Sequence, residues 1–254
     1  MRLKDKVAIV VGGANGIGRA TSLTLARQGA RCVIADLDIE RANTAAEEIK
    51  IQGGNALAIQ LDMTNCDETA RMVDTTLAKY GRIDILANVA GGSTGKYTRE
   101  MSKPFCESIK EEWDRIININ LTGPRNCTRA VINHMIERRY GKIINFSSIF
   151  GMIGSPNSCD YAAAKAGIIG FTKSLAAEVS CYGINVNCIA PGVIATEMAK
   201  DSLELFGKDW VKAIPISRYG TVQEVADLIL FLSSNEADYI TGATIDINGG
   251  LYMR

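Results

Sequence analysis

Residues 7–18 read VAIVVGGANGIG, so an apolar, β-branched run passes directly into a cluster of glycines. The run predicts a buried strand, and the glycines predict a tight turn that opens a helix. Gly12 permits the turn, Gly16 lets backbone approach a pyrophosphate, and Gly18 lets the helix pack on the strand. The free N–H groups of the first helical turn then face the phosphates. This stretch therefore predicts the first strand–turn–helix unit of a dinucleotide-binding sheet.

The second predicted strand ends in Asp36, about 20 residues beyond the glycines. A carboxylate at this position accepts hydrogen bonds from both hydroxyls of an adenosine ribose and repels a 2′-phosphate. Neither Asn15 nor Leu37, from which a basic side chain could neutralise that phosphate, is an arginine or a lysine. The sequence therefore predicts NAD as the cofactor in preference to NADP.

Strand-like apolar runs alternate with amphipathic helical patterns along the rest of the chain. Because the runs are continuously apolar, they are typical of a parallel sheet that helices cover on both faces. We therefore predict an α/β fold with a doubly wound parallel sheet, formed by a single domain over residues 1–254 that both binds the cofactor and carries the catalytic groups. Two irregular stretches, about residues 92–112 and 193–220, are candidate substrate loops. The predicted strands are 7–11, 31–35, 56–60, 83–87, 142–146, 185–189 and 243–247.

The charge balance excludes some classes of partner. The chain carries 28 basic and 28 acidic side chains, which give a formal net charge of zero. It therefore lacks the electrostatic footprint of a nucleic-acid binder or a polybasic membrane protein. Its apolar runs are shorter than the roughly 20 residues that span a bilayer, and residues 1–6 lead into no signal-peptide core. We expect a cytoplasmic protein that binds neither nucleic acid nor membrane.

The seven cysteines and the single histidine offer little for disulfide or metal chemistry. An odd number of cysteines with no Cys-x-x-Cys pair predicts reduced, mostly buried thiols. Cys159, two residues before Tyr161, is interpreted as a small buried filler. His134 falls in a charged helical stretch and is expected to be solvated. No metal is predicted, because this set cannot assemble a usual zinc site.

Tyr161 and Lys165 offer a base other than histidine. They are one helical turn apart, so their side chains project from one face of a predicted helix. A nearby ammonium stabilises tyrosinate and lowers the pKa of the phenol from about 10 towards a working range. Ser148 follows a predicted strand shortly before that helix. The pair therefore predicts general acid–base catalysis by the tyrosine.

The chemistry-bearing residues stand in the order of a known family. After the three glycines, the order runs through Asp62, residues 88–91 (NVAG), Asn120, Ser148, Tyr161, Lys165, residues 191–192 (PG) and residues 241–242 (TG). Over almost the whole chain, the sequence resembles the short-chain dehydrogenases/reductases. The resemblance implies a seven-stranded Rossmann sheet, hydride transfer between nicotinamide C4 and the carbon of a carbonyl or secondary alcohol, and commonly a homotetramer.

The resemblance also implies catalytic roles. By the family's pattern, Tyr161 is the general acid or base, and Ser148 hydrogen-bonds the substrate oxygen. Lys165 holds the nicotinamide ribose while it tunes Tyr161. Asn120 anchors a water that extends the proton path.

The cofactor contacts are distributed over the same motifs. The resemblance implies that Asp62 and Met63 hold the adenine, residues 88–91 the adenine ribose side, and residues 191–196 the nicotinamide carboxamide. With the residues of the glycine turn and of the second strand, this defines one predicted cofactor site. Its residues are Gly12, Asn15, Gly16, Ile17, Gly18, Asp36, Leu37, Asp62, Met63, Asn88, Ala90, Gly91, Tyr161, Lys165, Pro191, Gly192, Ile194 and Thr196.

Two positions depart from the family's pattern. Val11 stands where the family usually has threonine, and Val89 stands where it usually has a second asparagine. Since both positions lie on neighbouring strands near the cofactor, we hypothesise that an apolar contact replaces a hydrogen-bonded one.

These residues leave more than one function open. The first reading is an NAD-dependent oxidoreductase that acts on a secondary alcohol or ketone. The alternative is a reductase of 3-oxoacyl thioesters carried on acyl carrier protein or CoA, against which Asp36 argues because such biosynthetic reductases mostly use NADPH. A catalytically silent dinucleotide sensor is less favoured, since the four catalytic positions are intact.

The stretch before Trp113 is either a solvated loop or a substrate lid. As a lid it would offer a cation to an anionic or CoA-bearing substrate. Its basic residues are Lys96, Arg99, Lys103 and Lys110. The substrate itself stays open, because the shape of such loops decides it.

Overall fold

The computed structural model describes residues 1–94, 102–197 and 211–253. Its centre is one seven-stranded parallel sheet of order β3-β2-β1-β4-β5-β6-β7. The predicted doubly wound α/β fold is therefore confirmed. The strands are β1 (Val7–Val11), β2 (Arg31–Asp36), β3 (Asn55–Gln60), β4 (Ile85–Asn88), β5 (Gly141–Phe146), β6 (Ile184–Pro191) and β7 (Thr244–Ile247).

Helices cover both faces of this sheet. The described helices are α1 (Gly16–Arg27), α2 (Ile39–Ile51), α3 (Cys66–Tyr80), α4 (Lys110–Ile117), α5 (Gly123–Arg138), α6 (Phe150–Ile153), α7 (Cys159–Val179) and α8 (Val222–Ser233). One apolar core joins the sheet to α1, α2 and α8, and the other joins it to α3, α5 and α7. None of the helices in the described ranges is long and apolar enough to cross a membrane.

The alternation of side chains along β1 shows why its sequence is continuously apolar. Ala8 and Val10 point into the first core, whereas Ile9 and Val11 point into the second. Burial on both faces requires apolar residues at every position, which is the pattern of a central parallel strand. Strand order reverses between β1 and β4, so a crevice for a ligand opens at the carboxyl ends of these two strands.

The proposed contact between Val11 and Val89 is wrong. Val11 pairs with Asn88 across the two strands, so Val89, one residue further along, faces the other side of the sheet. Val11 lies in the second core, whereas Val89 packs against the first. The two valines are linked only through backbone, where the Val89 N–H donates to the Val11 carbonyl at 3.0 Å.

The cysteine prediction is partly wrong. Three thiols are buried, on Cys32, Cys127 and Cys188, but four are exposed. Cys159 is among the exposed ones because it lies at the first turn of α7, so it is not a buried filler. The described residues contain no group of three or more potential metal ligands.

His134 is also placed differently from the prediction. It is half-buried, and its Nε2 accepts a hydrogen bond from the Ile83 N–H at 3.2 Å. The histidine therefore anchors the entry to β4 instead of lying in solvent.

Parts of both predicted substrate loops fall outside the described residues, namely 95–101 and 198–210. This includes Lys96 and Arg99, two of the cations of the predicted lid. Within the described part, Lys103 pairs with Glu112 at 3.0 Å and Lys110 pairs with Asp114. Both lysines therefore already have a carboxylate partner.

Candidate active site

The glycine turn after β1 brings backbone segments too close together for side chains. Gly12 has a φ of +76°, which permits the sharp turn into α1. A Cβ on Gly18 would stand 1.8 Å from the Gly12 carbonyl oxygen, so only glycine lets the helix start against the turn. Gly12 thus permits the predicted turn, whereas Gly18 lets the start of α1 approach the turn itself and not the strand.

Asn15 caps α1 and leaves the helix start open to an anion. Its Oδ1 accepts a hydrogen bond from the Gly16 N–H at 2.7 Å. The next amides, on Ile17 and Gly18, lie in a first helical turn, where no acceptor within the helix is available. No acidic residue stands in that turn, so it suits a pyrophosphate.

Two backbone amides hold the Asp36 carboxylate at the end of β2. Ala14 N–H donates to Oδ2 and Asp38 N–H donates to Oδ1, each at 3.1 Å. The carboxylate is therefore fixed beside the glycine turn, with lone pairs left for the hydroxyls of a ribose. Together with the crowded glycine turn and the open first turn of α1, this donor and acceptor set fits a nicotinamide dinucleotide.

The segment after β3 is also pinned in place. Asp62 Oδ1 accepts from the Thr64 N–H at 2.9 Å and from the Thr64 hydroxyl at 2.7 Å. Asn126 of α5 donates to the Met63 carbonyl at 3.2 Å. The backbone of this predicted adenine site is therefore set by tertiary contacts, with the Asp62 side chain engaged in the turn.

Asn88 belongs to a buried amide ladder that sequence reasoning did not identify. Its Nδ2 donates to Asn145 Oδ1 at 2.8 Å, and Asn145 Nδ2 donates to the Thr172 hydroxyl at 3.0 Å. The ladder joins β4, β5 and α7 through the interior. Asn88 Oδ1 is buried and has no hydrogen-bond partner among the described residues. The contact of Asn88 with a cofactor stays a prediction. Because the side chain is engaged in the ladder, we expect the backbone of residues 88–91 to make that contact.

Asn120 lies in a π-helical turn, Asn118–Thr122, between α4 and α5. Its Nδ2 donates to the Gly92 carbonyl at 2.9 Å and the Ile116 carbonyl at 3.0 Å, and its Oδ1 accepts from the Gly92 N–H at 3.0 Å. Such a turn inside a helix is frequent at functional sites. The widened turn ties the helix to the chain that leaves β4.

Lys165 of α7 meets Asn120 beside Gly91, where both side chains approach the glycine backbone. Its Nζ donates to the Phe146 carbonyl at 2.9 Å and lies 5.5 Å from the centroid of the Tyr161 ring. The side chain is only 3% exposed, and this burial lowers the pKa of Lys165 to about 8.

Tyr161 and Ser148 complete the group. Burial raises the pKa of the Tyr161 phenol to about 12, and a hydrogen bond with the Ser148 side chain acts in the opposite direction. The predicted lowering of this pKa is therefore wrong, because desolvation of the phenol dominates. The structure brings Asn120, Ser148, Tyr161 and Lys165 together at the carboxyl ends of β4 and β5, and their catalytic roles stay a prediction.

The segment after β6 forms the other wall of the crevice. Gly192 N–H donates to the Ile247 carbonyl at 3.0 Å, and the Ala195 N–H donates to the Gly220 carbonyl at 2.9 Å. A Cβ on Gly16 would stand 3.7 Å from Thr196 Cγ2, so the segment lies against the glycine turn. This places residues 191–196 next to the start of α1.

Sequence reasoning missed Arg41 and Glu197. Arg41, in the first turn of α2, lies 3.6 Å from Glu197 Oε2 and 3.5 Å from Asp38 Oδ2, and the Asp38 N–H donates to Asp36. The signal in the sequence is an arginine five positions after Asp36. Glu197 directly follows Thr196, at the end of the predicted nicotinamide segment.

A cavity of about 310 Å³ lies beside Ile194, Ile214, Ile216 and Asn248. None of the four predicted catalytic residues is among its described lining residues. The Ile194 side chain packs with α8, on the face of the sheet opposite α7. The cavity therefore borders the predicted nicotinamide segment, to which Ile194 belongs, on the face of the sheet opposite α7.

The fold and the tyrosine–lysine pair at the end of a dinucleotide crevice define the class of protein, an oxidoreductase. A sequence profile described as enoyl-(acyl carrier protein) reductase matches residues 12–252. The chain belongs to the short-chain dehydrogenase/reductase family, and the resemblance seen in its sequence is confirmed.

Similar proteins cover the whole chain. The 3-oxoacyl-(acyl-carrier-protein) reductase FabG of Thermotoga maritima is 40% identical and aligns over 100% of both chains. The 3-oxoacyl-(acyl-carrier-protein) reductase of Synechocystis sp. is 41% identical, over 99% of this chain and 98% of its own length. The crystal structure of gox2181 is 33% identical with a TM-score of 0.94, and the match covers 98% of this chain and 96% of that one.

Proposed function

We propose that this chain interconverts a 3-oxoacyl thioester and the corresponding 3-hydroxyacyl thioester with NAD(H). The convergence of Ser148, Tyr161 and Lys165 beside Asn120 carries the proposal, because a ketone oxygen held there meets a proton donor. The similar proteins named as 3-oxoacyl-(acyl-carrier-protein) reductases support a thioester in place of the simple secondary alcohol of the first reading.

The protonation states favour reduction at neutral pH. With a pKa of about 12, the Tyr161 phenol keeps its proton and can donate it to the oxygen of a ketone. The Ser148 hydroxyl, which is hydrogen-bonded to the phenol, orients that oxygen. A bound nicotinamide supplies the hydride to the carbonyl carbon. The fully assembled site argues against a silent dinucleotide sensor.

Lys165 has two functions in this proposal. Its ammonium lies beside Gly91 and the Tyr161 ring, where it would hold a ribose hydroxyl and replace the proton that Tyr161 gives up. Asn120, whose amide binds both the N–H and the carbonyl of Gly92, positions the backbone along which a water would extend the proton path.

NAD is the proposed cofactor because Asp36 is fixed at the end of β2 by the amides of Ala14 and Asp38. A carboxylate held there accepts from ribose hydroxyls and repels a 2′-phosphate. The proposed cofactor site keeps the full set of sequence-predicted residues, with Asn88 acting through its backbone.

A free secondary alcohol or ketone is the second candidate substrate. Lys103 and Lys110, the two lysines in the described part of the predicted lid, are paired with Glu112 and Asp114. A paired lysine is a weaker ligand for the phosphates of CoA or of an acyl carrier, and this favours a smaller, uncharged substrate.

The partners and location remain proposals. A homotetramer is supported by β7, which lies at the edge of the sheet and is half-buried in the single chain. A cytoplasmic location and the single-domain organisation over residues 1–254 are kept as predicted.

One assay separates the two substrate classes. Acetoacetyl-CoA, its N-acetylcysteamine thioester and a panel of free ketones would each be mixed with NADH or NADPH, and the absorbance of the reduced nicotinamide followed. We expect turnover of both thioesters, with a higher kcat/KM for NADH than for NADPH. Turnover confined to free ketones would refute the thioester, and a preference for NADPH would refute the cofactor. Tyr161→Phe serves as the control for non-enzymatic loss of signal.

A further inference from the structure

A cation lies next to the carboxylate on which the proposed NAD preference rests. Arg41 Nε is 3.5 Å from Asp38 Oδ2, and Arg41 NH1 is 3.6 Å from Glu197 Oε2. Asp38 is the N-cap of α2, and its own N–H donates to Asp36 Oδ1 at 3.1 Å. Asp38 therefore links the Arg41 guanidinium to Asp36, the residue of the predicted ribose site.

Glu197 reaches Arg41 from the opposite wall of the crevice. Asn15 Nδ2 donates to the same Glu197 Oε2 at 2.9 Å, while Asn15 Oδ1 accepts from the Gly16 N–H. One carboxylate oxygen is thus shared between the glycine turn and α2. The cap residue of α1 sets the position of Glu197, and Glu197 in turn helps to hold Arg41.

We propose that Glu197 is a specificity-determining residue that withholds Arg41 from the 2′-phosphate of NADP. The assignment rests on the proposed function, in which a dinucleotide binds with its adenosine ribose at Asp36. A guanidinium is the side chain that best matches a phosphate, so an unengaged Arg41 at this position would favour NADP. Glu197 and Asp38 both engage it.

The charge count explains the direction of the effect. Asp36, Asp38 and Glu197 contribute three negative charges against the single positive charge of Arg41. A 2′-phosphate would enter this excess of negative charge, whereas the uncharged 2′-hydroxyl of NAD would not be repelled. Removal of the Glu197 carboxylate should therefore change the affinity for NADP more than the affinity for NAD.

The contacts of Arg41 are weak enough for a single substitution to redirect it. The Arg41 and Glu197 side chains are 55% and 69% exposed, and their separation exceeds that of a hydrogen bond. Exposed ion pairs of this kind contribute little individually, so without the Glu197 charge Arg41 is held by Asp38 alone, which a phosphate that offers two or three oxygens can displace. Glutamine at position 197 would keep an acceptor for Asn15 while it removes the charge.

The test measures cofactor binding and needs no substrate. Dissociation constants of NADH and NADPH would be determined by fluorescence titration at low salt for wild type, Glu197→Gln, Arg41→Gln and the double variant. We expect Glu197→Gln to bind NADPH about tenfold more tightly, with NADH binding changed less than about twofold. Arg41→Gln should show no gain in NADPH binding, and Glu197→Gln should improve NADPH binding much less in the Arg41→Gln background than in the wild type.

Glu47→Gln is the matched control. Glu47 is an exposed residue of the same helix whose carboxylate pairs with Lys50 at 3.6 Å, so the variant removes an equal charge away from the crevice. It should change neither dissociation constant. Thermal melts of all variants check that each one is folded.

Three results would overturn the assignment. These are an equal change for both cofactors in Glu197→Gln, an undiminished gain from Glu197→Gln in the Arg41→Gln background, and the same gain in Glu47→Gln. A wild type that binds neither nucleotide would overturn the proposed cofactor together with this assignment. A wild type that binds NADH but turns over no thioester would overturn the proposed substrate alone.

Discussion

Lys165 Nζ lies 5.5 Å from the centroid of the Tyr161 ring and donates to the Phe146 carbonyl at 2.9 Å. The ammonium is therefore held against the ring by the end of β5. Burial shifts the two pKa values away from each other, the phenol up to about 12 and the ammonium down to about 8. The neutral tyrosine is therefore the acid, and the lysine is the group that titrates nearer to neutral pH.

Tyr161→Phe should abolish turnover while cofactor binding is retained. The substitution keeps the ring against Lys165 and removes only the proton donor. We expect kcat to fall by at least about 10²-fold, the usual scale of positioned acid–base catalysis, with an unchanged dissociation constant for NADH. Steady-state kinetics and fluorescence titration measure the two quantities. Substantial residual turnover would place the acid elsewhere.

The affinity for NADH should fall as the pH rises through about 8. Above the pKa of Lys165 the side chain is neutral and loses its charge-assisted hydrogen bonds to the ribose. We expect a decrease of about tenfold across this limb, measured by titration at a series of pH values. Lys165→Met is the control, since it should bind NADH weakly at every pH without the limb. The same pH dependence in that variant would assign the titration to another group.

Asp36→Asn combined with Leu37→Arg should move the preference towards NADP. Asparagine removes the negative charge and keeps an acceptor oxygen for one of the two backbone amides, of Ala14 and Asp38, that Asp36 now binds. Leu37 is 39% exposed, so an arginine there can reach a phosphate without disturbing a core. The ratio of kcat/KM with NADPH to that with NADH should rise by at least tenfold, on the order expected for gaining one charge-assisted pair. An unchanged ratio would show that Asp36 does not face the ribose.

Folding stability should fall as the pH decreases below about 6.5, in part because of His134. Burial and the nearby Arg138 lower the pKa of His134 from 6.5 in the folded protein, while Glu137 and Asp84 act in the opposite direction. Between the folded and unfolded pKa values the unfolded chain binds more protons, so the free energy of unfolding decreases as the pH falls through this window. Protonation also removes the acceptor for the Ile83 N–H.

His134→Gln isolates this contribution from that of the carboxylates. Glutamine offers an acceptor to Ile83 but does not titrate, so the difference in unfolding free energy between the two proteins should change in favour of the variant as the pH falls. Urea unfolding near pH 7.5 and near pH 5.5 measures it. A difference that is independent of pH would show that His134 does not titrate in this range.

Much of the fold follows from short-range patterns. The predicted strand over residues 83–87 illustrates the limit, because β4 begins only at Ile85. Residues 83 and 84 are as buried as a strand, but the N–H of Ile83 is taken by His134 and that of Asp84 by the Val7 carbonyl. The apolar pattern correctly predicts that residues 83 and 84 are buried. The hydrogen-bond partner of each backbone N–H, however, depends on chain segments that are remote in sequence.

The sequence by itself determined the parallel sheet and the glycine turn and supplied the candidate catalytic residues, since apolar periodicity and motif spacing are local properties of the chain. Tertiary structure alone decided that the Asn88 side chain joins a buried hydrogen-bonded ladder and that Asn120 lies in a π-helical turn. It also decided that Glu197 forms an ion pair with Arg41. It also reversed the predicted pKa shift of Tyr161. Desolvation and contacts between distant segments set these features, and both depend on how completely the folded chain excludes water around each group.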